Sequence, residues 1–444
     1  MGFVNTFLAL GAAFCLEQTF CPVLRFSMIR MRRFILLLSL VGPAIITSNI
    51  DNDAGGIAIY SIAGARYGYN LLWSMIPIVF LLIVAQEMSS RLGIVTGKGL
   101  ADLIRENYGI KVTFWVMVSL FMTNLGNTMA EFSGWAASLE LFHVSKYVSV
   151  PIGAAFVWFL AVRWRYSVFE KIFLCVCVVY LTYIVSAFLA KPDWGEVALK
   201  TVTPSIEFSA AYLIMIVSII GTSITPWQQF YLQASVVEKG LTEDDRWGTK
   251  IDVVFGAVMM GVVAYFIIVA CGATLHPAGI RIDGAEDAAL SLKPLAGKYA
   301  YILFAVGLAN ASLFAGCILP LVTAYYICEA MGWEAGTGKS IKEAPQFFIL
   351  YTISIVLGAS FVLIPDLPLI KVMWFSQIVN SLLLPVVLLF QLRLINNAEL
   401  MGRHTNSWRT NVAAYTGTAI LIVLNVILIF QTLAGLVGTF GAAG

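Results

Sequence analysis

Charge is what this sequence has least of. Of its 444 residues, 12% are Asp, Glu, Lys or Arg and 60% belong to the apolar set, giving a mean hydropathy of +0.87. So little charge excludes an ordinary soluble domain. The net charge of +2, with no long block of one sign, excludes a nucleic-acid-binding tail and leaves lipid and a small solute as the expected partners. Histidine is scarce too: His143, His276 and His404 each fall in or beside a predicted loop. With no imidazole at membrane depth, the chain lacks the commonest soft-metal ligand and the most convenient proton carrier. The seven cysteines (Cys15, Cys21, Cys175, Cys177, Cys271, Cys317, Cys328) lie mostly inside apolar runs, at spacings that suit neither a zinc site nor a disulfide framework. A Ser-His-Asp set, a metal triad and a phosphate loop are also missing, so an enzyme is not expected. No connection is long enough to fold as a soluble domain, which removes the surface a receptor would need.

Apolar length is what the chain has in abundance. Eleven stretches reach the roughly twenty residues needed to cross a bilayer core: 34–66, 70–95, 112–142, 147–163, 167–190, 208–237, 250–275, 298–331, 345–364, 368–392 and 411–438. The expected fold class is an all-α integral membrane protein of eleven transmembrane helices. With the N-terminus cytoplasmic, 19 of the 27 Lys and Arg residues fall in segments assigned inside and 8 outside, the bias this orientation needs. Eleven spans then put the C-terminus outside. Residues 1–27 are apolar without a leading positive charge, which argues against a cleavable signal. The basic cluster Arg25, Arg30, Arg32 and Arg33 makes Met28 or Met31 a reasonable start. Residues 1–27 are therefore treated as a dispensable extension and 28–444 as a single transmembrane domain. A short interfacial helix is expected from Ala285 to Leu295, and a compact chain without a transit peptide suggests a bacterial plasma membrane.

Two spans cannot be continuous. In the first, Ser48-Asn49-Ile50-Asp51-Asn52-Asp53-Ala54-Gly55-Gly56 is too polar and too rich in glycine to remain helical through hydrocarbon, so it faces a cavity or a bound ion. In the sixth, Gly221-Thr222-Ser223-Ile224-Thr225-Pro226 predicts unwinding around Thr222 to Thr225. A simple proline kink would also explain that segment. Its position decides: breaks in spans 1 and 6 are what two five-span repeats of opposite orientation produce, here about 34–190 and 208–392, with 411–438 as an extra span. Such paired breaks mark a transporter's midplane site, where carbonyls and half-helix dipoles can hold a cation.

The residues around these breaks resemble the Nramp divalent-metal transporters. That family's first span reads G-P, then D-P-G-N, then A-G-A-x-F-G-Y and L-L-W. This chain has Gly42-Pro43, Asp53-Ala54-Gly55-Gly56, Ala63-Gly64-Ala65-Arg66-Tyr67-Gly68-Tyr69 and Leu71-Leu72-Trp73, followed by Ser90-Arg91-Leu92-Gly93-Ile94-Val95-Thr96-Gly97-Lys98. The resemblance implies a LeuT-like 5+5 inverted repeat and puts the family's aspartate on Asp53. The departures are informative. The family's asparagine ligand is Gly56 here, and its span 6 M-P-H is Thr225-Pro226-Trp227. Its span 3 D-x-x-E is Thr128-Met129-Ala130-Glu131, and no Lys or Arg lies inside span 9. Among relatives, the pattern is most similar to the Nramp-related magnesium transporters, a branch for which the resemblance implies Mg²⁺ and Mn²⁺ transport without proton coupling.

The expected metal site comprises the Asp53 carboxylate, the Thr222 carbonyl, Thr225 and Gln377 of span 10. Asp51 is a further candidate ligand of the metal, or else lines the entry to the site. Glu131 is either a carboxylate near a hydrated ion or a buried neutral acid, and Asp53 could instead be only a helix cap. Asn380 is a weaker candidate, Trp227 a wall residue, Asn124 and Asn127 holders of water or of a neighbouring helix, and Glu87 with Arg91 a structural ion pair. An all-oxygen pocket that has lost bulk suits a hydrated hard cation. The expected function is a uniporter-like secondary transporter of Mg²⁺ and Mn²⁺ working by alternating access. The alternatives are a proton-coupled Mn²⁺/Fe²⁺ importer and, on the same fold, an amino-acid carrier. No cofactor is expected, since the ion is cargo, and the reading is compatible with a monomer.

Overall fold

Asp53 caps the start of one helix and Pro226 opens another, at the two polar segments singled out in the sequence. The computed structural model describes residues 52–163 and 180–441, which are helix or connection throughout. Asp51, the inner part of the expected first span and residues 164–179 of the fifth lie outside them. The longer helices are α1 (Ala54–Tyr67), α2 (Met75–Thr96), α3 (Leu100–Glu140), α4 (Lys146–Arg163), α5 (Leu181–Leu189), α6 (Trp194–Val202) and α7 (Ala210–Ser223). They continue with α8 (Pro226–Glu238), α9 (Arg246–Thr274), α10 (Ala300–Met331), α11 (Pro345–Val362), α12 (Leu369–Ile395) and α13 (Trp408–Gly441). Among the described residues, eight helical stretches are long and apolar enough to cross a bilayer, and Lys146–Leu160 is a shorter apolar one. They follow the expected order. The count of eleven also depends on residues outside the description.

The sixth span breaks as expected, over a shorter stretch. Thr222 and Ser223 stay in α7, and only Ile224 and Thr225 leave helical geometry before Pro226 starts α8 as its first residue. The cause is local: Pro226 has no N–H to offer the Thr222 carbonyl four residues back. Helix α3 begins about three turns earlier than apolar length alone indicates. Its first ten residues carry Asp102, Arg105 and Glu106, and the chain turns into the apolar part at Gly109, whose φ of +79° suits glycine. Short helical turns run from Ala285 to Tyr299, where an interfacial helix is expected.

Helices α10 and α12 pack along α3, α9 along α1, and α8 along α2. Glycines make the closest approaches. A Cβ at Gly134 of α3 would overlap the Ala54 Cβ of α1, and one at Gly221 of α7 would overlap the Gln377 carbonyl of α12. The second clash is with backbone and cannot be relieved by a rotamer change. Gly221→Ala is therefore expected to destabilise the protein by about 1–3 kcal/mol, lowering its thermal unfolding midpoint in detergent by several degrees. An unchanged midpoint would show that α7 and α12 do not depend on this contact. The expected Glu87–Arg91 pair forms at 3.0 Å, and Arg91 also donates to the His404 carbonyl at 3.2 Å, tying α2 to the connection before α13.

Candidate functional site

The backbone of Asp53 is extended (φ −67°, ψ −176°) and its carboxylate caps α1, with Oδ1 accepting the Gly56 N–H at 2.6 Å. Capping and ion binding are not exclusive, because a carboxylate has about four acceptor positions. The positive end of the α1 dipole also stabilises the charge there. The Ala54 N–H points to Glu131 Oε2 at 3.4 Å, which brings the Glu131 carboxyl to the start of α1 beside Asp53, and both carboxyls are buried. Two buried carboxylates in one site repel each other unless a proton or a cation lies between them.

Gln377 is the third member of the cluster. Its amide lies against Gly55, where a Cβ would overlap Nε2, while its carbonyl lies against Gly221. This one residue of α12 therefore touches α1 just after Asp53 and α7 just before the break in the sixth span. Asp53, Glu131, Thr222, Thr225 and Gln377 are each no more than 4% exposed. Several buried oxygens here have no protein partner: Asn52 Oδ1, Glu131 Oε1, Thr222 Oγ1 and Thr225 Oγ1. Thr225 is the more telling because it is the N-cap of α8, and a threonine there ordinarily bonds the helix it starts. Its hydroxyl makes no such bond. Buried oxygens are rarely left unpaired without water or an ion to meet them.

Three further residues belong to this neighbourhood. Ser312 of α10 lies with Ala54 against Gly134, and its hydroxyl has no partner. A lone serine in an apolar helix usually bonds back to its own backbone, so the sequence offers no signal for it. A thioether is also near: Met373 Sδ packs against the same glycine. Asn52 is in the polar stretch of span 1, where its acidic neighbours carry the stronger signal.

The other candidates resolve into a ladder of amides. Asn127 and Asn380 exchange hydrogen bonds of 3.0 and 2.8 Å, and Asn380 donates to Gln377 Oε1 at 2.7 Å. Asn127 contacts Asn124, which donates to the Leu319 carbonyl at 2.9 Å and to Thr323 at 2.7 Å. These asparagines join α3 to α10 and α12. Trp227 is 2% exposed with its indole N–H unpartnered, as a wall residue can be. Thr128, where the resembling family carries an acid, bonds back to the Asn124 carbonyl at 2.9 Å.

The profile of the family described as natural resistance-associated macrophage protein-like matches residues 44–431. The divalent metal cation transporter MntH of Acidiphilium cryptum is 28% identical over 411 residues, covering 89% of this chain and 90% of that protein. The MntH of Burkholderia ambifaria is 26% identical, with 89% of each covered. Among solved structures, a manganese transporter from Eremococcus coleocola superposes with a TM-score of 0.73 at 21% identity, covering 91% of this chain and 89% of that one. A nucleobase-cation-symport-1 family transporter, MHP1, superposes at 0.53 with 13% identity, covering 88% and 92%. What the chain shares with both is the helical fold.

Proposed function

This chain belongs to the Nramp family, and on that premise we propose that it moves hydrated divalent cations, Mg²⁺ and also Mn²⁺, across the membrane by alternating access, as a uniporter. The observation that carries this reading is the Asp53–Glu131 carboxyl pair among buried oxygens that have no protein partner. Oxygen is what Mg²⁺ takes, and Mg²⁺ keeps much of its water when bound. In this reading Asp53 supplies the charge, and the Thr222 carbonyl, released by Pro226, completes an oxygen wall with Thr225 and Gln377. Glu131 faces the ion through water.

Independence from protons rests on what lies beyond the pair. At Thr128 there is a hydroxyl bonded to its own helix, and past it a run of amides. Amides neither gain nor lose protons near neutral pH, so this run is a poor relay. A second reading, a proton-coupled Mn²⁺ importer, draws support from the relatives named for manganese or divalent metal. It also draws support from the carboxyl pair itself, which a proton can bridge. An amino-acid carrier is disfavoured by Asp53, whose charge would repel a substrate carboxylate.

Proteoliposome uptake separates these. Mg²⁺ is expected to enter and to compete with Mn²⁺, with the lumen pH constant as Mn²⁺ accumulates. Failure of Mg²⁺ to enter or compete overturns the first reading, and acidification in step with Mn²⁺ establishes the second.

A further inference from the structure

Outward from the buried site along α1, the lining changes sign. Nine residues past Asp53, about 13 Å at the rise of an α-helix, Ile62 and Ala65 open on a cavity of about 240 Å³. The outer end of α12 contributes Ile370, Lys371 and Trp374, the last lying one turn from Gln377. The connection after α9 contributes Arg281 and Asp283, and Arg66 completes the rim. Three cationic side chains from three separate elements thus meet one carboxylate. They are three of the 8 basic residues that the sequence assigns outside. A transporter of cations has little reason to gather them at the mouth of its own pathway, since each repels the cargo.

The arrangement is held in place. His276 bonds the Ala65 carbonyl through Nδ1 at 3.0 Å, anchoring the connection to the end of α1. The N–H groups of Asp283 and Gly284 both donate to Asp287 at 3.0 Å, fixing the turn that presents Arg281. The Trp374 indole N–H is committed to Ser218 at 2.8 Å, so that ring serves as a wall. Ion pairs form elsewhere on the surface, yet among the described residues Arg66, Arg281 and Lys371 are in none. The volume equals about eight waters' share of the liquid, room for a tetrahedral oxyanion and part of its hydration.

We propose that this cavity binds a phosphate-class oxyanion through Arg66, Arg281 and Lys371. Two arginine forks and an ammonium supply the donors and the positive charge that the oxygens of such a group take. The shared chemistry has two sources, free inorganic phosphate and the phosphodiester of an anionic lipid headgroup. A bound anion cancels the local positive field and lets divalent cations approach the inner site. This consequence rests on the proposed transport function, whereas the binding itself does not.

The test is equilibrium binding of radiolabelled inorganic phosphate to the full chain in a phosphate-free detergent without divalent metal. One saturable equivalent per chain is expected, weakening as chloride is raised. In R281Q/K371Q, monodisperse on size exclusion, affinity should fall about tenfold or more, in keeping with two lost charge-assisted contacts. Asp53→Ala should leave phosphate binding unchanged, which separates this proposal from the cation site. Absence of saturable binding, or equal binding by R281Q/K371Q, overturns it. Nanodiscs distinguish the sources: if phosphatidylglycerol displaces phosphate where phosphatidylcholine does not, the lipid headgroup is the occupant. Equal phosphate binding in both supports the free anion.

Discussion

Replacing Asp53 with Ala is expected to reduce Mg²⁺ and Mn²⁺ uptake into proteoliposomes by about a hundredfold or more while the protein remains folded. The two halves of this expectation have separate causes. Removing the carboxylate takes away the charge expected to meet the ion in a site closed to water, where hydrogen bonds to charged groups are each worth about 1.5–3 kcal/mol. A factor of a hundred corresponds to about 2.7 kcal/mol. The structural loss is smaller, because what Asp53 gives the fold is one cap, Gly56 N–H to Oδ1 at 2.6 Å, worth about 1 kcal/mol. Helix α1 is also held by the Tyr60–Ser223 hydrogen bond of 2.9 Å and by Gly64, which lies against the α9 backbone. Asp53→Asn keeps an acceptor for the cap and removes the charge, so it should be folded at least as well and transport as poorly. Glu131→Gln should cost less, about tenfold, if that carboxylate acts through water. Uptake by Asp53→Ala within tenfold of the parent protein would remove Asp53 from the site.

Features that conflict with hydrocarbon are the ones the sequence makes legible. Asp53, Pro226 and the Thr222–Thr225 segment cannot be placed in an unbroken membrane helix, and the structure starts α1 directly after Asp53 and interrupts the sixth span at Ile224 and Thr225. The Glu87–Arg91 pair follows from helical spacing alone. Features that depend on what lies opposite are silent. Gly134 and Gly221 are indistinguishable in sequence from the chain's other glycines until Ala54 and the Gln377 carbonyl are set against them. Asn124 and Asn127 are visible as polar residues in an apolar helix. That Asn127 pairs with Asn380, 253 positions away, is set only by the packing of α3 on α12. The start of α3 was hidden for a different reason: charged residues before Gly109 have the composition of a loop, although they form a helix. The cavity of Arg66, Arg281 and Lys371 draws on three stretches far apart in the chain, and none of them has a motif.

Thr225→Met is expected to turn the selectivity of the transporter. Mg²⁺ uptake should fall about tenfold or more while Mn²⁺ uptake persists and Cd²⁺ gains. Thioether sulfur is a soft ligand that adds affinity for transition metals and nothing for Mg²⁺, which would lose an oxygen and some room for its water. The exchange is structurally mild at one end, because the Thr225 hydroxyl caps nothing and its loss breaks no bond of α8. At the other end the longer side chain must fit a closed site, and any overpacking costs about 1–3 kcal/mol. The ratio of Mn²⁺ to Mg²⁺ uptake is therefore the quantity to measure, since it cancels a general loss of stability or insertion. Met373 supplies the control. Its sulfur already stands near the cluster, against Gly134. If that sulfur took part in choosing the ion, Met373→Leu, which preserves volume, would lower the Mn²⁺ to Mg²⁺ ratio. The expected result is a change within about twofold, with the selectivity following position 225. An unchanged ratio in Thr225→Met together with a large change in Met373→Leu would move the selecting ligand from the break before α8 to α12, and the oxygen-only account of this site would be wrong.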